Sequence, residues 1–201
     1  MNPLKGIHYR SPFVYRFLTW LKLGAGSSLR FRIAAEYAAG HVSVLDICAG
    51  DGGLRRFLPA SCEYHGIEAS PSFASRLSRQ GIPCDRRDLH DGLGRIGRSY
   101  DLVVMLISLC HFRETSAHRL LEEFKTTARR VLIVEDVLDK PRPVGSPVQR
   151  IMNYLCALDY FRPMQLYTRG EFFELMRGHG YSCFPYNQRY WIGYYEPEQD
   201  S

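Results

Sequence analysis

The sequence predicts a doubly wound α/β domain with a mostly parallel sheet, helices on both faces and a C-terminal antiparallel hairpin. Apolar runs typical of buried strands alternate with segments of helical periodicity, which favours parallel strands joined by right-handed crossovers. One apolar run, residues 42–47, ends in a glycine-containing loop, as the strand–turn–helix units of such sheets do. Two aromatic-rich runs within residues 181–195 flank residues 185–188 and predict the hairpin.

The remaining elements follow the same patterns in order. Amphipathic helices are predicted over residues 11–23 and 28–39. Strands are predicted for the apolar runs at residues 42–47, 63–68, 82–85, 101–107 and 131–134. One helix is predicted to begin with residues 54–58. Other helices are predicted over residues 70–79, 114–128, 148–160 and 168–177. Ser70 and Pro71 suit the start of one helix, and Thr168 with Glu171 forms a capping box for another.

Composition indicates a single domain over residues 1–201, because 201 residues with 45% hydrophobic content can build one full core. We divide it into a helical cap at 1–40, a core at 41–137, an insert at 138–167 and a final helix and hairpin at 168–201. The net charge of +5 has no dominant basic cluster, so nucleic acid is not an expected partner. Six cysteines without a C-x-x-C pair predict reduced thiols in a cytoplasmic protein.

The loop after the first strand is the strongest functional signal. Asp46 lies at the strand end, and Gly50 and Gly52 allow a sharp turn and a close approach of a ligand to the backbone. A carboxylate there suits a ligand that carries hydroxyls and an ammonium, and it would repel a pyrophosphate. The loop therefore predicts a nucleoside-type ligand at the carboxyl end of the sheet.

Three later strand ends carry further polar residues. Glu68 ends the second strand 22 residues after Asp46, where an acid can accept both hydroxyls of a ribose. Asp88 follows the third strand, and Ser108 and His111 follow the fourth. Since ligands bind outside the carboxyl ends of the strands, all four are expected to border one site.

Together these motifs resemble the class I S-adenosylmethionine-dependent methyltransferases, which have a Rossmann-like fold, over roughly residues 42–196. The resemblance implies that Asp46 faces the cofactor's ammonium, Glu68 binds its ribose, and Asp88 with Leu89 meets the adenine. One departure is Cys48, which stands where the family pattern has its first glycine, so a side chain crowds the cofactor there. The predicted cofactor-binding residues are Asp46, Cys48, Ala49, Gly50, Asp51, Gly52, Glu68, Ala69, Asp88, Leu89 and Ser108.

The resemblance also implies an acceptor site beside residues 108–111. His111 is the predicted general base, with a purely structural histidine as the alternative. The predicted acceptor-binding residues are Tyr9, Tyr15, Glu135, Tyr154 and Tyr160. No metal is expected. A metal site at Glu135 would need a second acid at the end of the fourth strand, but Ser108 and His111 stand there instead.

The predicted reaction is methyl transfer to an oxygen or nitrogen of a small molecule. The basic, apolar helix at residues 11–23 leaves a lipid-like acceptor and peripheral membrane contact open. Two other functions also stay open: a nicotinamide-dependent oxidoreductase, and a methyltransferase-like binding protein without turnover. The acceptor, the accepting atom and the oligomeric state are not specified by these patterns.

Overall fold

The computed structural model describes residues 28–94, 96–139 and 166–197 of the chain. Its helices are α1 (Leu29–Tyr37), α2 (Pro71–Arg79), α3 (Ala117–Thr127) and α4 (Arg169–Gly178). Its strands are β1 (Ser43–Ile47), β2 (Glu63–Ile67), β3 (Cys84–Asp85), β4 (Tyr100–Leu106), β5 (Ala128–Asp136), β6 (Ser182–Pro185) and β7 (Tyr190–Tyr195). Short 3₁₀ helices cover Gly53–Phe57, Leu89–Asp91 and Leu109–Phe112.

The seven strands form one sheet in the order β3-β2-β1-β4-β5-β7-β6. Strands β1 to β5 are parallel, and β7 runs antiparallel to both β5 and β6. The predicted fold, a mostly parallel Rossmann-like sheet closed by an antiparallel hairpin, is confirmed. The strand order reverses next to β1, because the chain continues to β2 and β3 on one side of β1 and then to β4 and β5 on the other. Ligands of open α/β sheets bind at such a switch point.

The two faces of the sheet are covered by different helices. Alternate residues of each strand face alternate sides, so Val44, Leu102 and Leu132 pack against Ile33 of α1. Their neighbours in sequence face the other side, where they form an apolar cluster with α3 and α4 that includes Phe124. The sheet is thus buried on both faces, and polar side chains at its carboxyl edge stand out as candidates for function.

Several predicted boundaries differ from the structure. The helix expected from residue 54 is only a 3₁₀ helix, because Leu58 precedes Pro59 and adopts an extended conformation. Strand β5 is longer than predicted at both ends, since β4 pairs with it from Ala128 and β7 pairs with it as far as Asp136. The capping box of Thr168 and Glu171 is confirmed.

Ser70 precedes α2 as predicted, yet its hydroxyl bonds the hydroxyl of Ser72 instead of capping a backbone N–H. The helices predicted over residues 11–23 and 148–160 lie outside the described residues. None of the described helices is both long enough and apolar enough to cross a membrane.

Candidate cofactor and active site

Residues 48–52, which we call the β1 loop, turn sharply at the switch point of the sheet. Cys48, Gly50 and Gly52 all have positive φ angles, of 59°, 57° and 73°. The Ala49 N–H donates to the carbonyl of Ile67 at 3.0 Å, which fixes the loop against the end of β2. Left-handed backbone is costly for residues with a Cβ, so this geometry explains why the family pattern has a glycine where this chain has Cys48.

Glu68 fixes the other side of the β1 loop. One carboxylate oxygen accepts the Gly50 N–H at 2.8 Å, and the other accepts the Ser70 N–H at 2.7 Å. Burial raises the pKa of Glu68, while these backbone hydrogen bonds act to lower it. A carboxylate oxygen has more than one lone pair, so each can still accept a hydroxyl. Glu68 can therefore shape the loop and bind a ribose at once.

Asp46 lies beneath the β1 loop and is buried. It accepts a hydrogen bond from the Tyr64 hydroxyl at 2.5 Å. Burial raises the pKa of Asp46 to about 7, and the charges of Glu68 and Asp51 act in the same direction. The Tyr64 hydrogen bond and the Arg30 guanidinium oppose this shift. Because Asp46 is poised between its two protonation states near neutral pH, a nearby cation would drive it to ionise.

Polar residues from four strand ends act on the thiol of Cys48. Burial raises the pKa of that thiol, and the charges of Glu68, Asp46 and Asp88 raise it further. Ser108, from the end of β4, makes a side-chain hydrogen bond to the same thiol. The structure thus brings together residues from the ends of β1, β2, β3 and β4 that are far apart in the sequence.

The predicted adenine-binding residues form a small turn after β3. Asp88 is exposed, and its carboxylate accepts the His90 N–H at 3.0 Å, capping the 3₁₀ helix that contains buried Leu89. Asp51 and Ala49 are also buried, and Ala69 is partly exposed. A site bordered by several carboxylates fits a ligand with a diol and an ammonium, and it opposes a pyrophosphate.

Arg30 is a site residue that the sequence patterns did not identify. It lies on α1, is only 9% exposed, and acts electrostatically on Asp46. Its guanidinium lies 4.7 Å from the ring centre of Phe31. That ring packs over Gly53, where an added Cβ would lie 2.5 Å from it. An arginine on an amphipathic helix is usually exposed, so only the packing of α1 onto the 3₁₀ helix Gly53–Phe57 reveals this position.

Residues 108–111, which we call the strand-end segment, follow a strained backbone position. Ile107 has a φ of 52°, which is rare for a β-branched residue. The Ser108 hydroxyl donates to the Leu106 carbonyl at 3.0 Å, and the His111 N–H donates to the Ser108 carbonyl at 3.1 Å. His111 is partly exposed. The segment therefore places Ser108 beside the β1 loop, and His111 follows in the short 3₁₀ helix Leu109–Phe112.

Glu135 holds the strand-end segment in place. It has no exposed surface, and one of its oxygens accepts the N–H groups of Leu109 at 2.8 Å and Cys110 at 3.3 Å. Its other oxygen accepts the N–H of Asp136 at 3.2 Å. Burial raises the pKa of Glu135 to about 7. Contact between Glu135 and an acceptor stays a prediction, and the structure gives this residue a positioning role.

The other predicted acceptor-binding residues lie outside the described residues, and the structure does not test them: Tyr9, Tyr15, Tyr154 and Tyr160. Within the described ranges, no group of three or more histidine, cysteine or acidic residues has a geometry that could hold a metal ion. The described residues include all the predicted cofactor-binding residues and the strand-end segment.

Comparison with known proteins agrees with this geometry. The sequence matches the family described as a methyltransferase domain over residues 11–185. No curated protein sequence matches the chain. Among solved structures, the DhpI–SAM–HEP complex aligns with a TM-score of 0.66 and 15% identity, covering 94% of each chain.

Two further structures are similar in fold. Human N-acetylserotonin methyltransferase in complex with SAM aligns with a TM-score of 0.64 and 16% identity. The match covers 94% of this chain and 58% of the human protein. Magnesium protoporphyrin IX methyltransferase from Synechocystis with bound SAH aligns with a TM-score of 0.56 and 15% identity, covering 93% and 95%. The family match and the fold together lead to one conclusion: this chain belongs to the methyltransferase domain family and has a Rossmann-like fold.

Proposed function

We propose that this protein transfers the methyl group of S-adenosylmethionine to an oxygen or nitrogen atom of a small molecule. The observation that carries the proposal is the position of Asp46, Glu68, Asp88 and Ser108 at the carboxyl ends of four neighbouring parallel strands, where Glu68 accepts the Gly50 N–H of the β1 loop at 2.8 Å. This arrangement combines groups for an ammonium, a ribose and an adenine at the switch point of the sheet. Family membership favours this reading over a nicotinamide-dependent oxidoreductase.

Each part of the cofactor has a partner in the proposal. When bound, S-adenosylmethionine supplies a methyl group that its sulfonium already activates. Asp46 pairs with the ammonium, Glu68 accepts the ribose hydroxyls, and Asp88 with the Leu89 N–H meets the adenine. The remaining loop residues, with Ala69, line the amino-acid and ribose parts; these are Cys48, Ala49, Gly50, Asp51 and Gly52.

Arg30 provides the partner for the cofactor's carboxylate in this proposal. The amino-acid end of the cofactor is a zwitterion, and Asp46 and Arg30 place opposite charges beside the same loop. Arginine binds carboxylates with two parallel hydrogen bonds and stays protonated. Opposite charges at this end of the site also orient the cofactor, because reversing it would place like charges together.

The strand-end segment performs the acceptor chemistry. An oxygen or nitrogen acceptor loses a proton on methylation, and His111 can take it as a general base. Glu135 holds the N–H groups of Leu109 and Cys110, which fixes the start of the short helix that carries His111. Methyl transfer is an in-line displacement, so the main task of the protein is alignment of the two reactants.

The acceptor is proposed to be a small molecule. The aligned proteins whose names specify an acceptor act on small molecules, such as N-acetylserotonin and mitomycin. The prediction of a lipid-like acceptor depends on the helix at residues 11–23, which lies outside the described residues.

Calorimetric titration with S-adenosylmethionine, S-adenosylhomocysteine and NAD tests the proposal. We expect the first two to bind and NAD to give no heat of binding. Binding of NAD alone would refute the proposal.

His111→Ala tests the assignment of the base in a turnover assay that follows S-adenosylhomocysteine formation with a panel of phenols and amines. We expect turnover to fall about 100-fold or more, the usual range for loss of a general base. The affinity for S-adenosylhomocysteine should stay unchanged. Equal losses of turnover and of affinity would instead make His111 a structural residue.

A further inference from the structure

Two uncharged hydrogen-bond donors near the end of β5 are buried and lack partners among the described residues. The Nε of Arg169 is also unpaired there, but the other nitrogens of that guanidinium bind Asp139 and the Gln188 carbonyl. Tyr167 is only 4% exposed, and within the described ranges its hydroxyl makes no hydrogen bond. The indole N–H of Trp191 is likewise buried and makes no hydrogen bond within the described ranges. Buried donors nearly always have a partner, and leaving one unpaired is unfavourable. A pair of such donors on one side of the sheet calls for a ligand that completes them.

Both donors lie beside the last residues of β5. Trp191 stands opposite Glu135 in the pairing of β5 with β7. The carbonyl of Tyr167 accepts the N–H of Leu138 at 2.9 Å, two residues after β5 ends. Tyr167 belongs to the apolar cluster on the α3 and α4 face of the sheet, and Trp191 packs against that cluster. The two side chains therefore approach the end of β5 from its two sides, on the same face.

Tyr167 also lies near the strand-end segment, because the guanidinium of Arg113, two residues after that segment, is 5.0 Å from the Tyr167 ring centre. Burial raises the pKa of Tyr167, and the charges of Glu135 and Cys110 raise it further. Glu135 in turn binds the N–H groups of Leu109 and Cys110. The two unpaired donors thus border the segment that carries His111, on the side away from Asp46 and α1.

We propose that Tyr167 and Trp191 form an acceptor subsite that recognises an uncharged oxygen, a carbonyl or a phenolic hydroxyl, on a small molecule. This inference rests on the proposed methyl transfer and adds the class of acceptor. The indole N–H can only donate, and the Tyr167 hydroxyl stays protonated at neutral pH, so both groups select a hydrogen-bond acceptor. An ammonium offers no lone pair to either donor. A carboxylate would face the buried Glu135, and the nearby Arg113 guanidinium, 5.0 Å from the Tyr167 ring centre, is already paired with Glu171.

The sequence offers a direct optical readout of this subsite. The chain has two tryptophans, Trp20 and Trp191, so the Trp20→Phe variant leaves Trp191 as the single indole fluorophore. In this variant, saturated with S-adenosylhomocysteine, we would titrate four probes of similar size: benzamide, p-cresol, benzoate and benzylamine. We expect benzamide and p-cresol to shift the Trp191 emission saturably, and benzoate and benzylamine to have no such effect. Equal responses to benzamide and benzylamine, or no response to any probe, would overturn the proposal.

Tyr167→Phe, made in the same background, tests the hydroxyl itself. We expect the affinity for benzamide to fall about tenfold, as loss of one hydrogen bond implies. Tyr181→Phe is the matched control, because the buried Tyr181 hydroxyl donates to the Leu121 carbonyl at 2.8 Å. That variant should leave benzamide binding unchanged. Identical benzamide affinity in the Tyr167 variant and its parent would refute a role for the hydroxyl.

Thermal unfolding without probe gives a second, independent test. Removing an unpaired hydroxyl should leave the melting temperature of the Tyr167→Phe variant unchanged or raised, whereas Tyr181→Phe should lower it. Equal losses would show that the Tyr167 hydroxyl already has a partner and would overturn the inference. Calorimetry with S-adenosylhomocysteine distinguishes a failure of the subsite from a failure of the proposed function. If this ligand binds while benzamide fails, only the subsite is wrong, and if it does not bind, the proposed function fails.

Discussion

The raised pKa of Asp46 predicts that cofactor binding depends on pH. Burial raises the pKa of Asp46 to about 7 from its ordinary value of 3.8. In the proposed complex the ammonium of the cofactor lies beside this carboxylate. An opposite charge at that distance lowers the pKa of an acid by about one to three units. Binding below pH 7 should therefore release a proton from Asp46.

The size of the effect follows from this change in pKa. If the pKa falls from about 7 in the free protein to about 5 in the complex, the Kd for S-adenosylhomocysteine is about tenfold higher at pH 6 than its high-pH limit. At pH 8 the corresponding factor is only about 1.1. The affinity should thus improve about ninefold between pH 6 and pH 8, which corresponds to about 1.3 kcal/mol of binding free energy.

Isothermal titration calorimetry at several pH values measures both the affinity and the proton release. The number of protons released follows from repeating each titration in buffers with different ionisation enthalpies. Asp46→Asn should flatten the pH profile, since its amide does not titrate, while the ligand's own titration is the same in both proteins. Glu68→Gln is the second control, because burial raises the pKa of Glu68 as well. A wild-type affinity that is constant from pH 6 to 8, or an unchanged slope in Asp46→Asn, would refute the reasoning.

The raised pKa of Asp46 also predicts that the free energy of unfolding falls as the pH rises. An acid whose pKa is higher in the folded protein contributes stability that is complete below about pH 4. That contribution is lost as the pH rises from about 4 to 7, up to about 4 kcal/mol for a fully buried group. Glu135 acts in the same window, so the informative quantity is the difference between wild type and Asp46→Asn in urea unfolding.

Three further predictions concern the β1 loop and its neighbours. Cys48→Gly removes a left-handed residue with a Cβ, so urea unfolding should show a gain of about 1 kcal/mol, and calorimetry should show no loss of S-adenosylhomocysteine affinity; a loss of stability would refute the strain argument. Arg30→Met should weaken S-adenosylhomocysteine about tenfold or more while leaving methylthioadenosine, which lacks the carboxylate, unaffected in the same assay; parallel losses would mean that Arg30 is structural. Gly52→Ala adds a Cβ 2.5 Å from a methyl carbon of Leu77, at a φ of 73°. In the control Gly40→Ala, φ is 83° but nothing lies within 4 Å of the added Cβ. Gly52→Ala should therefore lower the free energy of unfolding by about 1 kcal/mol more than Gly40→Ala does. Equal melting temperatures in the last pair would show that Leu77 simply moves aside.

The sequence was sufficient to predict the sheet and the positions of its polar strand ends. Parallel strands must place their carboxyl ends at one edge, so Asp46, Glu68 and Ser108 could be assigned to one site from their spacing. The strand-end position of Glu135 was also visible, although its complete burial was not. Its three backbone hydrogen bonds depend on the conformation of the loop after β4, which no local pattern specifies.

Other features required the folded chain. The extended conformation of Leu58 has a sequence signal in Pro59, which could have excluded a long helix after the β1 loop. Arg30 had no such signal, because its burial is a property of the folded chain, in which α1 packs onto the 3₁₀ helix Gly53–Phe57. The unpaired donors of Tyr167 and Trp191 are likewise a property of tertiary packing, since each becomes informative only once its surroundings are known.

Backbone strain in this protein is concentrated where the chemistry is proposed. Within the described ranges, Cys48 and Ile107 are the non-glycine residues with positive φ, and they directly follow two adjacent parallel strands. The Ile107 N–H donates to the Val134 carbonyl at 2.7 Å, and Glu135 then holds the next residues through two N–H groups. Such conformations are retained only where the surrounding structure over-determines them. Because β5 supplies these restraints on both sides of Ser108, its burial between β4 and β7 keeps the strand-end segment directed at the β1 loop.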